Sequence, residues 1–377
     1  MSTTYRGEKL AAVVESALDL EQIDPHLYRS KKLWQPSGNR GVFGGHIISQ
    51  ATIAAAKTLP PAYQLHSLHS YFIMAAQAEL PILYQVEATR SGRSFATRTV
   101  FARQSGKCIF TLICSFQIPE SSPISHQIAM PDVPLPDKPS RKKQDSVIKL
   151  QQGPTRNISR DDFVPLPIDI IPVRQTPSPP KDDGSIIANR LAWIRVNGDL
   201  NGIDAIYHQA LVIFCSDFML AGTSLLPYNT ALVVAAQGER QQESVLDNKE
   251  CSLQFGEEAT RIQDIAKKFK YMVSLDHSIW FHSSCRADEW LLYEMETTWG
   301  KNGRALIIGR LYSSVDRRLV ASVSQEALIR FHDIDYDSNT MPAMTFRHMP
   351  PQFVGFYSHS NLSHNEEEPA QRQKSKL

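Results

Sequence analysis

Apolar and polar residues alternate in several stretches of the chain, and this alternation predicts β-strands. In the stretch 109–116 the positions that share one side are all apolar: Phe110, Leu112, Cys114 and Phe116. A helical run precedes these strands, from Ile47 to Leu59, and Pro60 ends it. One long helix followed by several antiparallel strands is an α+β pattern.

The same pattern occurs twice along the chain. The stretch 64–72 and the stretch 271–282 are similar, and Ser274 follows Ser67 by 207 residues. Farther on, Tyr293 follows Tyr84 by 209 residues. We therefore predict two copies of one module, each an antiparallel sheet wrapped around a helix, which is a double hot-dog architecture.

This repeat divides the chain into four segments. Residues 119–190 are rich in proline and predict a linker, and residues 237–270 form a polar insert within the second copy. The predicted segments are an N-terminal hot-dog domain at 1–118, the linker at 119–190, a C-terminal hot-dog domain at 191–333 and a polar tail at 334–377.

Composition excludes several classes of partner. The 40 Lys and Arg residues balance the 39 Asp and Glu residues, so no overall positive field favours nucleic acid. The N-terminus lacks the apolar core of a signal peptide, and we expect no membrane span and a location inside the cell. The five scattered cysteines indicate core residues in a reducing compartment.

Motifs of other enzyme classes are missing from the sequence. It contains no Gly-x-Ser-x-Gly elbow, no phosphate-binding loop and no dinucleotide fingerprint, so we expect no cofactor. His66 and His69 are an odd number of residues apart on one predicted strand. They should therefore point to opposite faces, as should Asp276 and His277, which disfavours a zinc site and an acid/base pair. We interpret these side chains as structural hydrogen-bonding groups.

Two polar residues stand where the pattern calls for apolar ones. Asp217 lies in an apolar run, and a buried carboxylate is costly without hydrogen-bonding partners. It marks either a functional site or the start of a helix whose body begins at Phe218. Gln325 lies on a strand face that is otherwise apolar, and it needs a partner in the core or a cavity. Ser274, on a predicted strand, is less informative by itself.

The chain resembles the type II acyl-CoA thioesterases, a double hot-dog family that includes peroxisomal enzymes. The matching stretches, quoted from this sequence, are Val42-Phe43-Gly44-Gly45-His46, His66-Ser67-Leu68-His69-Ser70-Tyr71-Phe72, Gly92-Arg93-Ser94-Phe95, Cys215-Ser216-Asp217, Ser274-Leu275-Asp276-His277-Ser278-Ile279-Trp280-Phe281-His282, Glu289-Trp290-Leu291-Leu292-Tyr293 and Ser324-Gln325-Glu326. The chain departs from the family pattern at 75–79, where the family has a Gly-Asp-Pro-like turn.

The resemblance implies a catalytic trio. In the family, an Asp, a Ser or Thr, and a Gln bind the water that attacks the thioester, and by motif these roles fall on Asp217, Ser274 and Gln325. The implied substrate is fatty acyl-CoA, hydrolysed to free fatty acid and CoA. The natural acyl group is not implied, and assembly into a homo-oligomer, common in the family, stays open.

Two other functions remain open from the sequence. A hot-dog hydratase or dehydratase would act on acyl-CoA with the same fold, but it needs an acid/base residue over the acyl chain for which we find no motif. A non-catalytic acyl-CoA-binding protein would have no need of a buried carboxylate such as Asp217. Both are weaker interpretations than hydrolysis.

The chain ends in a targeting tripeptide. Ser375, Lys376 and Leu377 form the address that the peroxisomal import receptor reads. The tail before them is polar and would leave the address accessible. We therefore expect a peroxisomal location, with the import receptor as a partner.

Overall fold

The computed structural model describes residues 10–36, 40–136, 166–173, 189–226 and 268–332. Its helices are α1 (Leu10–Leu18), α2 (Gly44–Ala56), α3 (Ala205–Ser216) and α4 (Leu220–Thr223). Its strands are β1 (Leu20–Asp24), β2 (Leu27–Ser30), β3 (Gln64–Phe72), β4 (Leu83–Ser91), β5 (Phe95–Gln104), β6 (Lys107–Gln117), β7 (Ile168–Pro172), β8 (Asn189–Val196), β9 (Phe269–Ser274), β10 (Asp276–Phe281), β11 (Leu291–Lys301), β12 (Arg304–Ser313) and β13 (Leu319–Phe331).

The strands of the two copies join into one antiparallel sheet. Its order is β1-β2-β4-β5-β6-β3-β10-β13-β12-β11-β8-β7, and β9 pairs with β13 beside this path. The first copy supplies the six strands up to β3, and the second copy supplies the rest. The predicted α+β double hot-dog fold is confirmed, with β3 and β10 as the seam between its two halves.

A pseudo-two-fold axis passes through this seam. His69 and Ser278 are directly opposite each other in the pairing of β3 with β10, and they occupy equivalent positions in the two copies, 209 residues apart. The Ser70 hydroxyl donates a hydrogen bond to the His277 carbonyl oxygen at 2.8 Å. The two halves therefore differ in side chain at the point where symmetry would make them equal.

The central helices α2 and α3 pack against each other across the same axis. Small side chains allow the approach: the Ser49 hydroxyl of α2 reaches the carbonyl oxygen of Ala210 in α3 at 2.7 Å. The Gln209 amide of α3 donates to the carbonyl oxygen of Leu65 on β3 at 2.8 Å. Nearly all of α2 is buried, as its row of small residues predicts.

Two glycines at the start of α2 allow its first turn to lie close to the end of α3. A Cβ atom at Gly44 would meet Asp217 Oδ2 and the Phe72 ring, both at 2.8 Å. A Cβ atom at Gly45 would meet the Phe214 carbonyl oxygen at 2.7 Å. The first turn of α2 can therefore lie directly against the end of α3.

The run 205–223, which comprises α3 and α4, is long and apolar enough to cross a membrane by length and composition alone. The test is weak for a core helix, since 56% of the run is buried inside the protein. The run is also interrupted between Ser216 and Leu220, where Met219 has a positive φ.

The predicted linker contains one strand of the second copy's half of the sheet. The strand β7 pairs with β8, with Ile168 opposite Val196, so ordered structure of this sheet begins before residue 191. Within the same segment, the side chains of Met130 and Val133 are buried against Trp193 and Tyr312. The division of the chain into domains remains a prediction, and the polar insert and tail lie almost wholly outside the described residues.

Candidate active site

Asp217 lies at the C-terminal end of α3 and faces the start of α2. Its backbone caps α3, with φ −80° and ψ −14°. The interpretation that it starts a helix with Phe218 is therefore wrong. The backbone N–H of Gly45, in the first turn of α2, donates to Asp217 Oδ2 at 2.8 Å. Such N–H groups lack partners within their own helix, and they favour an anion.

Gln325 and Ser274 complete a group around this carboxylate. Gln325 Nε2 donates to Asp217 Oδ1 at 3.2 Å and to the Ser274 hydroxyl oxygen. Gln325 is fully buried on an apolar face of β13, as its strand pattern predicted, while Asp217 and Ser274 are partly exposed. The structure thus brings together the three residues that the resemblance implied.

Burial raises the pKa of the Asp217 carboxyl above its ordinary value. The nearby His277 and the hydrogen bonds from Gly45 and Gln325 favour the ionised form and offset part of this increase. A carboxylate with a raised pKa is a stronger proton acceptor once ionised. Asp217 can therefore take a proton from a water or another hydroxyl group beside it.

His277 lies behind Gln325, on the side away from the carboxylate. Its Nδ1 is 2.7 Å from Gln325 Oε1, and its Nε2 is 2.9 Å from the Ser216 hydroxyl. The side chains of His277, Gln325 and Ser216 are all fully buried. The Tyr293 hydroxyl fixes the end of α3 by donating to the Ser216 carbonyl oxygen at 2.6 Å.

A one-residue bulge at Leu275 places His277 on the same side as Ser274. Four residues lead from Ser274 to Ser278, whereas three lead between their partners on β13, Ala327 and Ser324. A bulge of this kind turns the following side chains to the other face. Strand periodicity alone puts Ser274 and His277 on opposite faces, so sequence reasoning missed the contact of His277 with the site.

A second bulge affects the histidines of β3. It lies between Leu65 and Ser67, and it turns His66 to the same outer face as His69. His66 binds the Ser115 hydroxyl and His69 binds the Ser278 hydroxyl. The expectation of opposite faces for these two residues was wrong, while Asp276 and His277 do face apart. Across the described ranges, no three His, Cys, Asp or Glu residues group so as to hold a metal ion.

An aromatic cluster flanks the carboxylate. The ring centroids of Phe43 and Phe218 are 4.6 Å apart, and those of Phe43 and Phe214 are 5.0 Å apart. Trp34 joins them, with its ring centroid 5.3 Å from that of Phe43. Phe43 precedes Gly44 and Phe218 follows Asp217, so the cluster lies beside the acid. It forms a partly exposed apolar surface.

Comparisons with known proteins agree with this architecture, which places the chain among the double hot-dog proteins. Residues 31–117 match the sequence model of the acyl-CoA thioesterase N-terminal domain, and residues 143–329 match that of the C-terminal domain. Acyl-coenzyme A thioesterase 8 of Homo sapiens is 35% identical over 329 residues, which are 86% of this chain and 91% of that protein.

Two further similarities concern a solved structure and a yeast protein. The crystal structure of acyl-CoA thioesterase II TesB2 from Mycobacterium marinum superposes with a TM-score of 0.59 at 30% identity, covering 84% of this chain and 98% of that one. Peroxisomal acyl-coenzyme A thioester hydrolase 1 of Saccharomyces cerevisiae is 37% identical over 109 residues, 29% of this chain and 31% of that protein.

The chain belongs to the acyl-CoA thioesterase family. Both domain models match, and together they span more than half of its length. It is accordingly an acyl-CoA thioester hydrolase with the type II, double hot-dog organisation.

Proposed function

We propose that this enzyme hydrolyses fatty acyl-CoA by direct attack of a water on the thioester carbonyl, with Asp217 as the general base. The observation that carries the proposal is the contact of Gln325 with both Asp217 and Ser274 at the junction of α2 and α3. The water would lie beside Asp217 and Ser274. One proton of the water passes to Asp217 as the C–O bond forms, and Asp217 gives this proton to the CoA sulfur as the C–S bond breaks.

Ser274 and Gln325 have the role of orienting groups. The amide nitrogen of Gln325 donates to Ser274, so the Ser274 hydroxyl keeps its own hydrogen for the carboxylate, the water or the substrate. Fixing the water in line with the carbonyl removes much of the entropic cost of the attack. No acyl-enzyme intermediate is needed, because the water itself is the nucleophile.

The aromatic cluster of Trp34, Phe43, Phe214 and Phe218 suits the acyl chain. It borders Asp217, so a thioester placed at the carboxylate would bring its first methylene groups against these rings. Burial of each methylene group contributes about 0.8 kcal/mol to binding. This surface supports a fatty acyl group over a small polar one.

We also propose that the enzyme acts in the peroxisome. The terminal Ser375, Lys376 and Leu377 match the address read by the import receptor, and they lie outside the described residues. The yeast relative named above carries a peroxisomal name. Substrates in that compartment would include fatty acyl-CoA.

The test is thiol release from saturated acyl-CoAs of increasing chain length by the wild type and by Asp217→Asn. We expect release by the wild type and a loss of about 100-fold or more in kcat for the variant, the effect of removing a general base. Asp276→Asn is the matched control: Asp276 is a nearby carboxylate whose pKa burial also raises, but it faces away from Gln325 and accepts from the Glu326 N–H.

Three results would count against the proposal. They are no thiol release by the wild type, an Asp217→Asn variant within a few-fold of wild type, or an equal loss in both variants.

A further inference from the structure

We propose that His277, held by Ser216, is a positioning residue that fixes the orientation of the Gln325 amide. The inference rests on the proposed function of Asp217, Ser274 and Gln325. It concerns a part of the site that contacts neither water nor substrate, because His277 and Ser216 are both fully buried.

The first step is the orientation of the amide. Gln325 has a carboxylate on one side and an imidazole on the other, at 3.2 Å and 2.7 Å. An amide turned by 180° would place its oxygen against Asp217 and its NH₂ group against the imidazole. The carboxylate accepts hydrogen bonds only, so the amide keeps its orientation as long as the imidazole donates to Oε1.

The second step is the tautomer of His277. Donation to Gln325 Oε1 requires a hydrogen on Nδ1. The Ser216 hydroxyl lies 2.9 Å from Nε2 and 2.8 Å from the Ile213 carbonyl oxygen, and it has one hydrogen for these two acceptors. When the hydroxyl donates to Nε2, that nitrogen is the acceptor and the imidazole hydrogen lies on Nδ1, so Ser216 supports the same amide orientation.

The third step comes from the other half of the molecule. In the first copy of the repeat, the strand pairings place Leu68 at the position of His277 and Cys114 at that of Gln325. Both are buried. The first copy thus lacks both the glutamine and the histidine, although its strand β3 has the equivalent position at the seam. The histidine and the glutamine therefore occur together, and the pairing of β3 with β10 does not require the histidine.

These contacts form a closed loop. It runs from Asp217 through Gln325 and His277 to Ser216, which precedes Asp217 in the chain. Loss of the Nδ1 donor would let the Gln325 amide turn, and the amide would no longer donate to Asp217 and Ser274 together. The water would then be misplaced while the acyl-CoA surface stayed intact. The expected consequence is a lower kcat at an unchanged KM.

The test compares substitutions that keep or remove the Nδ1 donor. His277→Asn places an amide N–H near the position of Nδ1, and it should retain most of the wild-type kcat. His277→Leu removes the donor, and His277→Gln carries its donor to the position of Nε2. We expect both to lose about 10- to 100-fold in kcat with KM unchanged, the scale of a displaced reacting group.

The matched control is His282→Leu, which removes a strand histidine bound to the Ser322 hydroxyl at 2.9 Å, away from the site. It should leave kcat unchanged. Thermal unfolding of each variant shows whether it is folded, and His277→Gln keeps a polar group in the core if His277→Leu does not fold.

A double-mutant cycle shows whether His277 acts through Gln325. In a Gln325→Ala background, His277→Leu should add little to the loss already present. Full additivity, or no rescue by His277→Asn, would overturn the inference while the loss in Asp217→Asn leaves the proposed function standing. Absence of thiol release by the wild type would overturn both.

Discussion

At the scale of single residues, the ends of two helices have opposite electrostatic effects on the Asp217 carboxylate. The C-terminal end of α3 disfavours a carboxylate, whereas the N–H groups at the start of α2 favour it. Burial has the largest effect on the Asp217 carboxyl, and it raises the pKa of this group. An enzyme that needs Asp217 as a base should therefore lose activity in acid at a higher pH than an ordinary aspartate would give.

The pH dependence of kcat/KM checks this directly. In the wild type, kcat/KM should rise as the pH increases through the raised pKa of Asp217, because only the ionised form accepts the proton. Gln325→Leu removes a hydrogen bond to the ionised form, so the pKa should rise further and the acid limb should move to higher pH. A limb that moves to lower pH, or stays in place, would contradict this assignment.

The site residues differ in how far sequence could reveal them. Asp217 and Gln325 were conspicuous because each is polar in an apolar pattern, and both lie at the site. Ser274 gave no such signal, since a serine on a strand is ordinary. His277 was interpreted as a structural group because periodicity does not show the bulge at Leu275. A single inserted residue changes which face a side chain occupies, and no pattern within the strand specifies it.

At the scale of elements, the first turn of α2 lies so close to the end of α3 that a side chain at Gly44 would meet Asp217. Glycine in a helix costs about 1 kcal/mol relative to alanine. Gly44 is nevertheless placed where a methyl group would meet Asp217 and Phe72, both at 2.8 Å. The closeness of α2 to the carboxylate outweighs helix propensity at this position.

Substitution of two glycines tests this tolerance. Gly44→Ala should lower kcat by about tenfold or more, because the methyl group displaces the Asp217 carboxylate. Gly222→Ala in α4 is the matched control, since its Cβ atom would meet only Arg190 Nη1, at 3.9 Å. It should keep full activity and gain some thermal stability. Wild-type kcat in Gly44→Ala would show that the contact is not needed.

Element types were predicted better than their limits. The helical run beginning at Ile47 was correct in type, although α2 spans Gly44–Ala56. In the second copy, α3 ends at Ser216, and the Asp217 side chain that follows accepts a hydrogen bond from α2. The strand β7 was missed because its few residues lie in a proline-rich segment, and only pairing with β8 stabilises them.

At the scale of the whole molecule, the two halves share a fold but not a site. The repeat predicted two similar modules, and the structure shows that β3 and β10 join them in one sheet. The first half contributes Gly45 to the second half's carboxylate. In the first half Cys114 occupies the position of Gln325, so the symmetric location lacks an amide that could orient a water.

We therefore expect one acyl-CoA site per chain. Titration calorimetry with a thioether analogue of acyl-CoA, which cannot be hydrolysed, should give one bound molecule per chain. Asp217→Asn should bind the analogue with the same stoichiometry, since the acyl surface is retained. Two equivalent sites per chain would contradict the asymmetry of the halves.

The central claim is that Asp217 activates a water and is not itself the nucleophile. Single-turnover hydrolysis in ¹⁸O-water, followed by mass spectrometry of the free fatty acid and of the peptide containing Asp217, tests it most directly. The account predicts ¹⁸O in the fatty acid, with neither ¹⁸O nor an acyl adduct on the peptide. Label on Asp217 or an acylated peptide would show that the carboxylate attacks the thioester, and it would contradict the account.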